Sequence, residues 1–271
     1  MDYMTKIYAT GTTGTIGKNL KNNVIGLNID LTKRYIHYLD ELIKPGGIFL
    51  HLASVVGDIA IKQDFDTARK VNIESPIELA KICLSKNFEK FVFVSTSHVY
   101  ACTSDIISES SPLSPRGIYS EQKIEVEDKL IQLFSDSPEK LCIVRIFSIL
   151  DWGMPDFTLG GAVKKLVNTN SNFVLKNSDD IRDFLTPKTV AQTLTKISLC
   201  KSLTGVVNLS SATGTSIKAA TEIMFANSNL FLQKSRLISG NSDFPTIIGS
   251  NSKLLLNLPN LELKWQPSKF S

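Results

Sequence analysis

Lys6-Ile-Tyr-Ala-Thr10-Gly11-Thr-Thr-Gly14-Thr-Ile-Gly17 is a short apolar run that feeds directly into three spaced glycines. The run has the length of a buried strand, and the glycines follow it without a linker. Gly11 permits a tight turn that a side chain would obstruct. Gly14 lets backbone N–H groups approach a pyrophosphate, and Gly17 lets a following helix pack closely on the sheet. A helix beginning there would turn its partial positive charge toward the phosphates. A lone glycine triplet is common in turns. Its place between a first strand and an expected helix makes it a dinucleotide-binding signal.

The rest of the chain repeats the strand signal. Val24 to Leu27, Ile48 to Leu52, Phe91 to Val94 and Leu141 to Val144 are further apolar runs without polar alternation. Such runs read as strands covered on both faces, as in a parallel sheet between helix layers. Between them, Ile73, Ile77, Ala80 and Leu84 share one helix face, with Lys81 and Lys86 left for water. Tyr119 to Phe134 reads as a helix that stops near Pro138. Strands alternating with helices imply an α/β, doubly wound parallel sheet.

The pattern loosens after about residue 150. Thr189 to Leu199 reads as a helix, Gly205 to Leu209 as a strand and Ser216 to Ala226 as another helix. The expected organisation is a dinucleotide-binding domain over 1–150, rejoined by a helix and a strand from about 183–211. Residues 151–182 and 212–271 then form a small substrate-binding lobe.

Composition narrows the function. The 271 residues are 42% hydrophobic and 21% charged, near the averages for globular proteins. A net charge of +4, with no bunching, gives no argument for a nucleic-acid partner. No apolar run approaches the ~20 residues of a membrane span. The N-terminus lacks the pattern of a secretion signal. Cys83, Cys102, Cys142 and Cys200 lie far apart, which suits a reducing cytoplasm and argues against a zinc site.

Tyr119-Ser-Glu-Gln-Lys123 sets a phenol and an ammonium one helical turn apart on one face. A phenol titrates near ~10, too high for a base at neutral pH, and a nearby cation is expected to lower it. Upstream, Ser95-Thr96-Ser97-His98 ends a buried strand in hydroxyls, at the sheet edge where ligands bind. A hydroxyl there can bond the substrate oxygen with which Tyr119 exchanges a proton.

These segments resemble the extended short-chain dehydrogenase/reductases, specifically the NAD-dependent epimerase/dehydratase group that modifies nucleotide sugars. Thr10 to Gly17 matches TGxxGxxG, and His51-Leu-Ala-Ser54 resembles the fourth-strand motif. Val71-Asn72 matches the Asn-bearing helix start. Ser95 to Tyr100 resembles STSxVYG, with Ala101 in place of the last glycine. Arg145-Ile-Phe-Ser148 resembles RxxN, with Ser148 for the asparagine. Trp152-Gly153 stands where YGP is common, Arg182-Asp-Phe184 matches RDF, and Val206-Val-Asn208 matches VYN.

The resemblance implies a Rossmann-type domain and a catalytic Thr96, Tyr119 and Lys123. It implies NAD or NADP held by Gly11, Thr13, Gly14, Thr15, Ile16, Gly17, Leu52 and Ala53, with Tyr119 and Lys123. Asn28 or Asp30 is expected at the adenosine ribose; Asp30 follows Gly11 by nineteen residues. Lys33 and Arg34 are positioned for a 2′-phosphate, although a solvated helix face explains them as well, so NAD and NADP stay open. The substrate, a nucleotide sugar, is expected on Thr96, His98, Ser148 and Arg182, the last at the phosphates. A homodimer through the Tyr119 to Phe134 helix is also implied.

Members that are 4,6-dehydratases carry Asp-Glu after the catalytic threonine. Ser97-His98 stands there instead, so water elimination is not expected. The leading reading is a 4-keto-sugar reductase of surface-polysaccharide or deoxysugar synthesis, because the C-terminal lobe is short. A 4-epimerase with tightly held NAD is the alternative, with His98 as a conceivable acid/base near pH 7. A third reading is a non-catalytic cofactor sensor, which the Tyr/Lys pair disfavours. A fourth, reduction of a steroid or plant-type carbonyl, is disfavoured by Arg182.

Overall fold

A computed structural model describes residues 5–21, 23–32, 43–168, 174–227, 237–243 and 245–269. Its strands are β1 (Ile7–Thr10), β2 (Val24–Gly26), β3 (Ile48–His51), β4 (Lys90–Thr96), β5 (Leu141–Ile146), β6 (Ser148–Ile149), β7 (Ile181–Leu185), β8 (Gly205–Leu209), β9 (Gly214–Ser216) and β10 (Thr246–Ile247). Its α-helices are α1 (Asp58–Gln63), α2 (Phe65–Arg69), α3 (Ser75–Ser85), α4 (Ile118–Leu133), α5 (Leu159–Asn168), α6 (Pro187–Leu199), α7 (Ile217–Asn227) and α8 (Ser252–Asn257).

The apolar runs form the expected doubly wound sheet. Six parallel strands stand in the order β2-β1-β3-β4-β5-β8. One face buries Ala9, Leu50, Val92 and Val144 under Val190, Leu194 and Ile197 of α6. The other buries Phe49, Phe91 and Phe93 under Leu79 and Cys83 of α3 and Val126 and Leu130 of α4. Strands covered twice have no solvent face, so their sequence does not alternate. The exception is β2, an edge strand whose Ile25 is 40% exposed, contrary to the expectation of two covered faces.

The chain steps from β1 outward to β2, then returns to β3 on the other side of β1. The loops leaving β1 and β3 therefore diverge, which opens a crevice at their carboxyl ends. Thr10 and His51, the last residues of those strands, pin it from below: Thr10 Oγ1 lies 2.9 Å from His51 Nδ1.

The helix expected after Gly17 does not form. A single 3-10 turn, Gly17–Asn19, stands in its place, and Leu20 is already extended. Only thirteen residues separate β1 from β2. A parallel crossover with its helix needs at least about 10–12 residues, and the turn Gly11 to Ile16 takes six of the thirteen, so seven are left and only a short turn fits.

A smaller sheet of β10, β7 and β6, with β9 antiparallel to β7, lies beyond the main sheet. It packs with Leu150, Phe184, Met224 and Phe225. The tail expected in this lobe also sends Leu254 and Leu263 into the main-sheet core. Among the described residues no helix is long and apolar enough to cross a membrane.

Lys90, buried at the start of β4, donates to Ile197 O (2.9 Å), Cys200 O (2.8 Å) and Leu203 O (2.6 Å). Its ammonium thus closes the C-terminal end of α6, where orphan carbonyls collect. Lys90→Met leaves those acceptors buried without their donor. The expected loss is about 2–3 kcal/mol in urea unfolding, with secondary structure intact at zero denaturant.

Candidate active site

The carboxyl end of the sheet gathers the glycine turn, the loop after β3, Thr96 and the start of α4. Gly11 sits at φ +70°, and a Cβ there would come 2.6 Å from Ala53 N. The turn thus lies directly on the Leu52-Ala53 backbone, and only glycine allows it. Gly17 is packed on Gly11 and Thr12 rather than under a helix. Gly14 is exposed, and a Cβ there would meet only Gly11 O, at 3.3 Å. The surface over the turn is therefore open to a phosphate. Thr13 is exposed and Thr15 half-buried, whereas Ile16 packs into the sheet core. Asn28 is exposed beyond β2, and Asp30 Oδ1 accepts from Thr32 N (3.0 Å) and Thr32 Oγ1 (2.6 Å). Lys33 and Arg34 lie outside the described residues.

Tyr119 and Lys123 enter the site because α4 begins there. Gly117, at φ +98°, leaves room for the Asp58 carboxylate, and Asp58 Oδ1 accepts from Tyr119 N at 3.0 Å. An acid at a helix start satisfies an orphan donor. Lys123 is buried, donates to Val94 O at 3.0 Å, and stands 5.6 Å from the centroid of the Tyr119 ring. Burial holds its pKa down to about 7, against the pull of Glu127.

The phenol behaves otherwise than expected. Burial pushes Tyr119 up to about 12, with Ser54 pulling it down. Lys123 is not among the groups that shift Tyr119: its nitrogen donates to Val94 O and stands over the ring, with no hydrogen bond to the phenol oxygen. Thr96 ends β4, and its Oγ1 accepts from His98 N at 3.2 Å, leaving its O–H to donate outward. His51 is fully buried, stacks on Phe93 and is held at about 3 by burial and the Lys123 charge, so it is neutral.

His98 is exposed at its surface; partial desolvation, then Arg116 and Arg182, draw its pKa down toward about 4. That direction favours its neutral form at pH 7. Ser148 lies at the start of β6, opposite Phe184 of β7. Arg182, on β7, donates to Asp180 Oδ2 at 2.8 Å and to Pro245 O at 3.3 Å.

Sequence placed Asn72, Tyr100, Arg145 and Asn208 in motifs without giving them a role, and passed over Gln122, Glu127 and Arg116. Asn72 lies within a π-turn, Lys70–Glu74, rather than at a helix start. It accepts from Ser54 Oγ (2.8 Å) and Val55 N (2.7 Å) and donates to Gln122 Oε1 (2.8 Å), locking the loop after β3 to α4. Behind Lys123, buried Glu127 pairs with Arg145 at 2.6 Å and accepts from Ser95 Oγ. Arg145 stacks on the Tyr100 ring, 4.7 Å away, and Tyr100 donates to Asn208 at 2.6 Å. Glu127 was within reach of the spacing argument, one turn beyond Lys123. Arg116 carried no such signal.

Comparison with known proteins gives the family and supports the fold. The family model for the NAD dependent epimerase/dehydratase family matches residues 7–202. A Bacillus subtilis protein named "Uncharacterized UDP-glucose epimerase YtcB" is 26% identical over 215 residues, 66% of this chain and 68% of that one. Among solved structures, RMD from Pseudomonas aeruginosa complexed with NADPH is 18% identical, with a TM-score of 0.79 over 94% of this chain and 92% of that one. A dTDP-4-dehydrorhamnose reductase from Clostridium acetobutylicum is 20% identical, with a TM-score of 0.79 over 96% and 95%. At such identities the two structures speak to the fold alone.

Proposed function

Because this chain belongs to the NAD dependent epimerase/dehydratase family, we propose that it reduces a keto group on a nucleotide-linked hexose, as a 4-keto-sugar reductase. NAD or NADP in reduced form supplies the hydride. The residues present fit such a group: an open glycine turn, a switch-point crevice and a buried Lys123 beside Tyr119.

Tyr119, protonated at neutral pH, gives its proton to the sugar oxygen. Thr96 donates a hydrogen bond to the same oxygen and fixes its position. Lys123 offers positive charge to the phenolate that develops, and the Asp58 cap fixes the helix turn that carries both residues.

The observation that carries reductase over epimerase is the shortened crossover. Without a helix after Gly17, a bound pyrophosphate would have the turn N–H groups but no macrodipole, a term worth about 0.3–2 kcal/mol. A loosely held dinucleotide suits a cycle in which spent cofactor leaves. The name of the Bacillus subtilis relative supports the epimerase as second reading. A cytoplasmic homodimer through α4 belongs to the same proposal.

The test incubates the protein with NADH or NADPH and a panel of nucleotide 4-keto sugars and nucleotide sugars. Loss of reduced-nicotinamide absorbance matching product formation is expected. Isomer formation without net loss, by protein that retains NAD through desalting, would replace this reading with the epimerase.

A further inference from the structure

One flank of α6 is polar, and the tail runs beside it. Val190, Leu194 and Ile197 turn toward the main-sheet core. Thr189, Gln192, Thr193 and Lys196 follow at helical spacing on the neighbouring face, where they line a cleft of about 640 Å³. The tail supplies the other wall, and that wall is held in place. Leu261 and Leu263 pack on the main-sheet core, Trp265 Nε1 donates to Leu150 O at 2.8 Å, and Ser268 N donates to Asp151 Oδ1 at 2.9 Å. The cleft shares no lining residue with the crevice of the glycine turn, Thr96, Tyr119 and Lys123.

Thr193 is only 3% exposed, yet its hydroxyl has no hydrogen-bond partner among the described residues. Other hydroxyls of the same helix are satisfied: Thr195 donates to Ala191 O at 3.1 Å and Ser198 to Leu194 O at 2.8 Å. A buried hydroxyl left unbonded is costly, so one that lines a cleft is a donor held for whatever fills it. Charge says what that is. Lys188 and Lys264 join Lys196 around the cleft, and Glu262 is its single acid. None of the three lysines has an ion-pair partner among the described residues. The lining therefore carries an excess of two positive charges. A phosphate monoester, at about −1.5 to −2 near pH 7, matches that excess, whereas a single carboxylate meets half of it. The first turn of α6, where Thr186 Oγ1 accepts from Thr189 N at 3.1 Å, adds its partial positive charge.

We infer that this cleft is a second binding site, for a phosphate group borne by a small polar molecule. The lysines hold the phosphate as point charges, and Thr193 gives it a fixed, buried donor. The space is that of a small-molecule site rather than of a bare ion. The side-chain amides of Gln192, Asn260 and Gln266 offer both donors and acceptors to hydroxyls. A sugar phosphate combines the two chemistries; free phosphate is the smaller source of the same anion. None of these residues takes part in the keto-reductase chemistry, so the site stands or falls apart from it.

The test is calorimetric titration of the full chain with glucose 1-phosphate, inorganic phosphate and glucose, in wild type and in the Lys196→Gln and Thr193→Val variants. Lys196 is exposed, and valine is close in shape to threonine, so both variants should fold, as circular dichroism would check. Glucose 1-phosphate is expected to bind and glucose not to. Lys196→Gln should weaken that binding about tenfold and Thr193→Val about fivefold. Inorganic phosphate that binds as tightly, with the same losses in the variants, supports the site and makes free phosphate its occupant. No binding of either phosphate at millimolar concentration overturns the inference. So does binding that both variants leave within about twofold of wild type, because the phosphate then sits elsewhere. If Thr193→Val does not fold, Lys264→Gln takes its place, with a loss of about tenfold expected.

Discussion

Tyr119→Phe is expected to lower turnover of the keto sugar by about 10²–10⁴-fold while leaving the affinity for reduced nicotinamide within twofold. The substitution removes one oxygen and keeps the ring that packs near Lys123. What disappears is the only group here argued to deliver a proton to the sugar oxygen; Thr96 can orient that oxygen but is too weak an acid to replace a phenol. A variant retaining a tenth of wild-type turnover would remove Tyr119 from the chemistry. The pH profile supplies a second check. Tyr119, pushed up to about 12, remains a proton donor across the working range. Lys123, held at about 7, loses its charge as pH rises through that value, and the developing phenolate then lacks its partner. The reductive rate should therefore be full below pH 7 and fall above it. Lys123→Arg, whose charge does not titrate, should flatten that fall.

The sheet was legible in the sequence because burial on both faces leaves a simple trace, an unbroken apolar run. Five such runs and the late Gly205–Leu209 segment became the six strands of the main sheet. The Tyr119/Lys123 pair was legible because helical spacing alone puts i and i+4 on one face. The missing first helix was not read from residue types, since Lys18, Asn19 and Leu20 are acceptable in a helix. The limit is length: of the thirteen residues between β1 and β2, the turn Gly11 to Ile16 takes six. The protonation states were illegible for another reason. Desolvation depends on what packs overhead, and it dominates at Tyr119, Lys123, His51 and His98 alike.

Arg145→Met is expected to cost about 3–5 kcal/mol of stability, a large share of the roughly 5–15 kcal/mol that holds a typical domain. Arg145 and Glu127 are both almost wholly removed from water and joined by Nη2 to Oε2 at 2.6 Å and by Nε shared between Oε2 (3.1 Å) and Oε1 (3.3 Å). Methionine fills much of the space but leaves Glu127 with one hydrogen-bond donor, the Ser95 hydroxyl, and the weakened charge of Lys123. The penalty is that of an uncompensated buried carboxylate, rather than the net worth of the pair. The distinction is measurable. Glu127→Leu combined with Arg145→Met removes both charges, and urea unfolding should recover most of the midpoint lost in the single variant. A double variant no more stable than Arg145→Met would mean that stacking on Tyr100, not charge, is what Arg145 contributes. Because Glu127 joins Ser95, next to Thr96, to the helix turn after Lys123, the recovered double variant should still turn over poorly: its stability returns through apolar packing, while the tie that sets Thr96 against Lys123 does not.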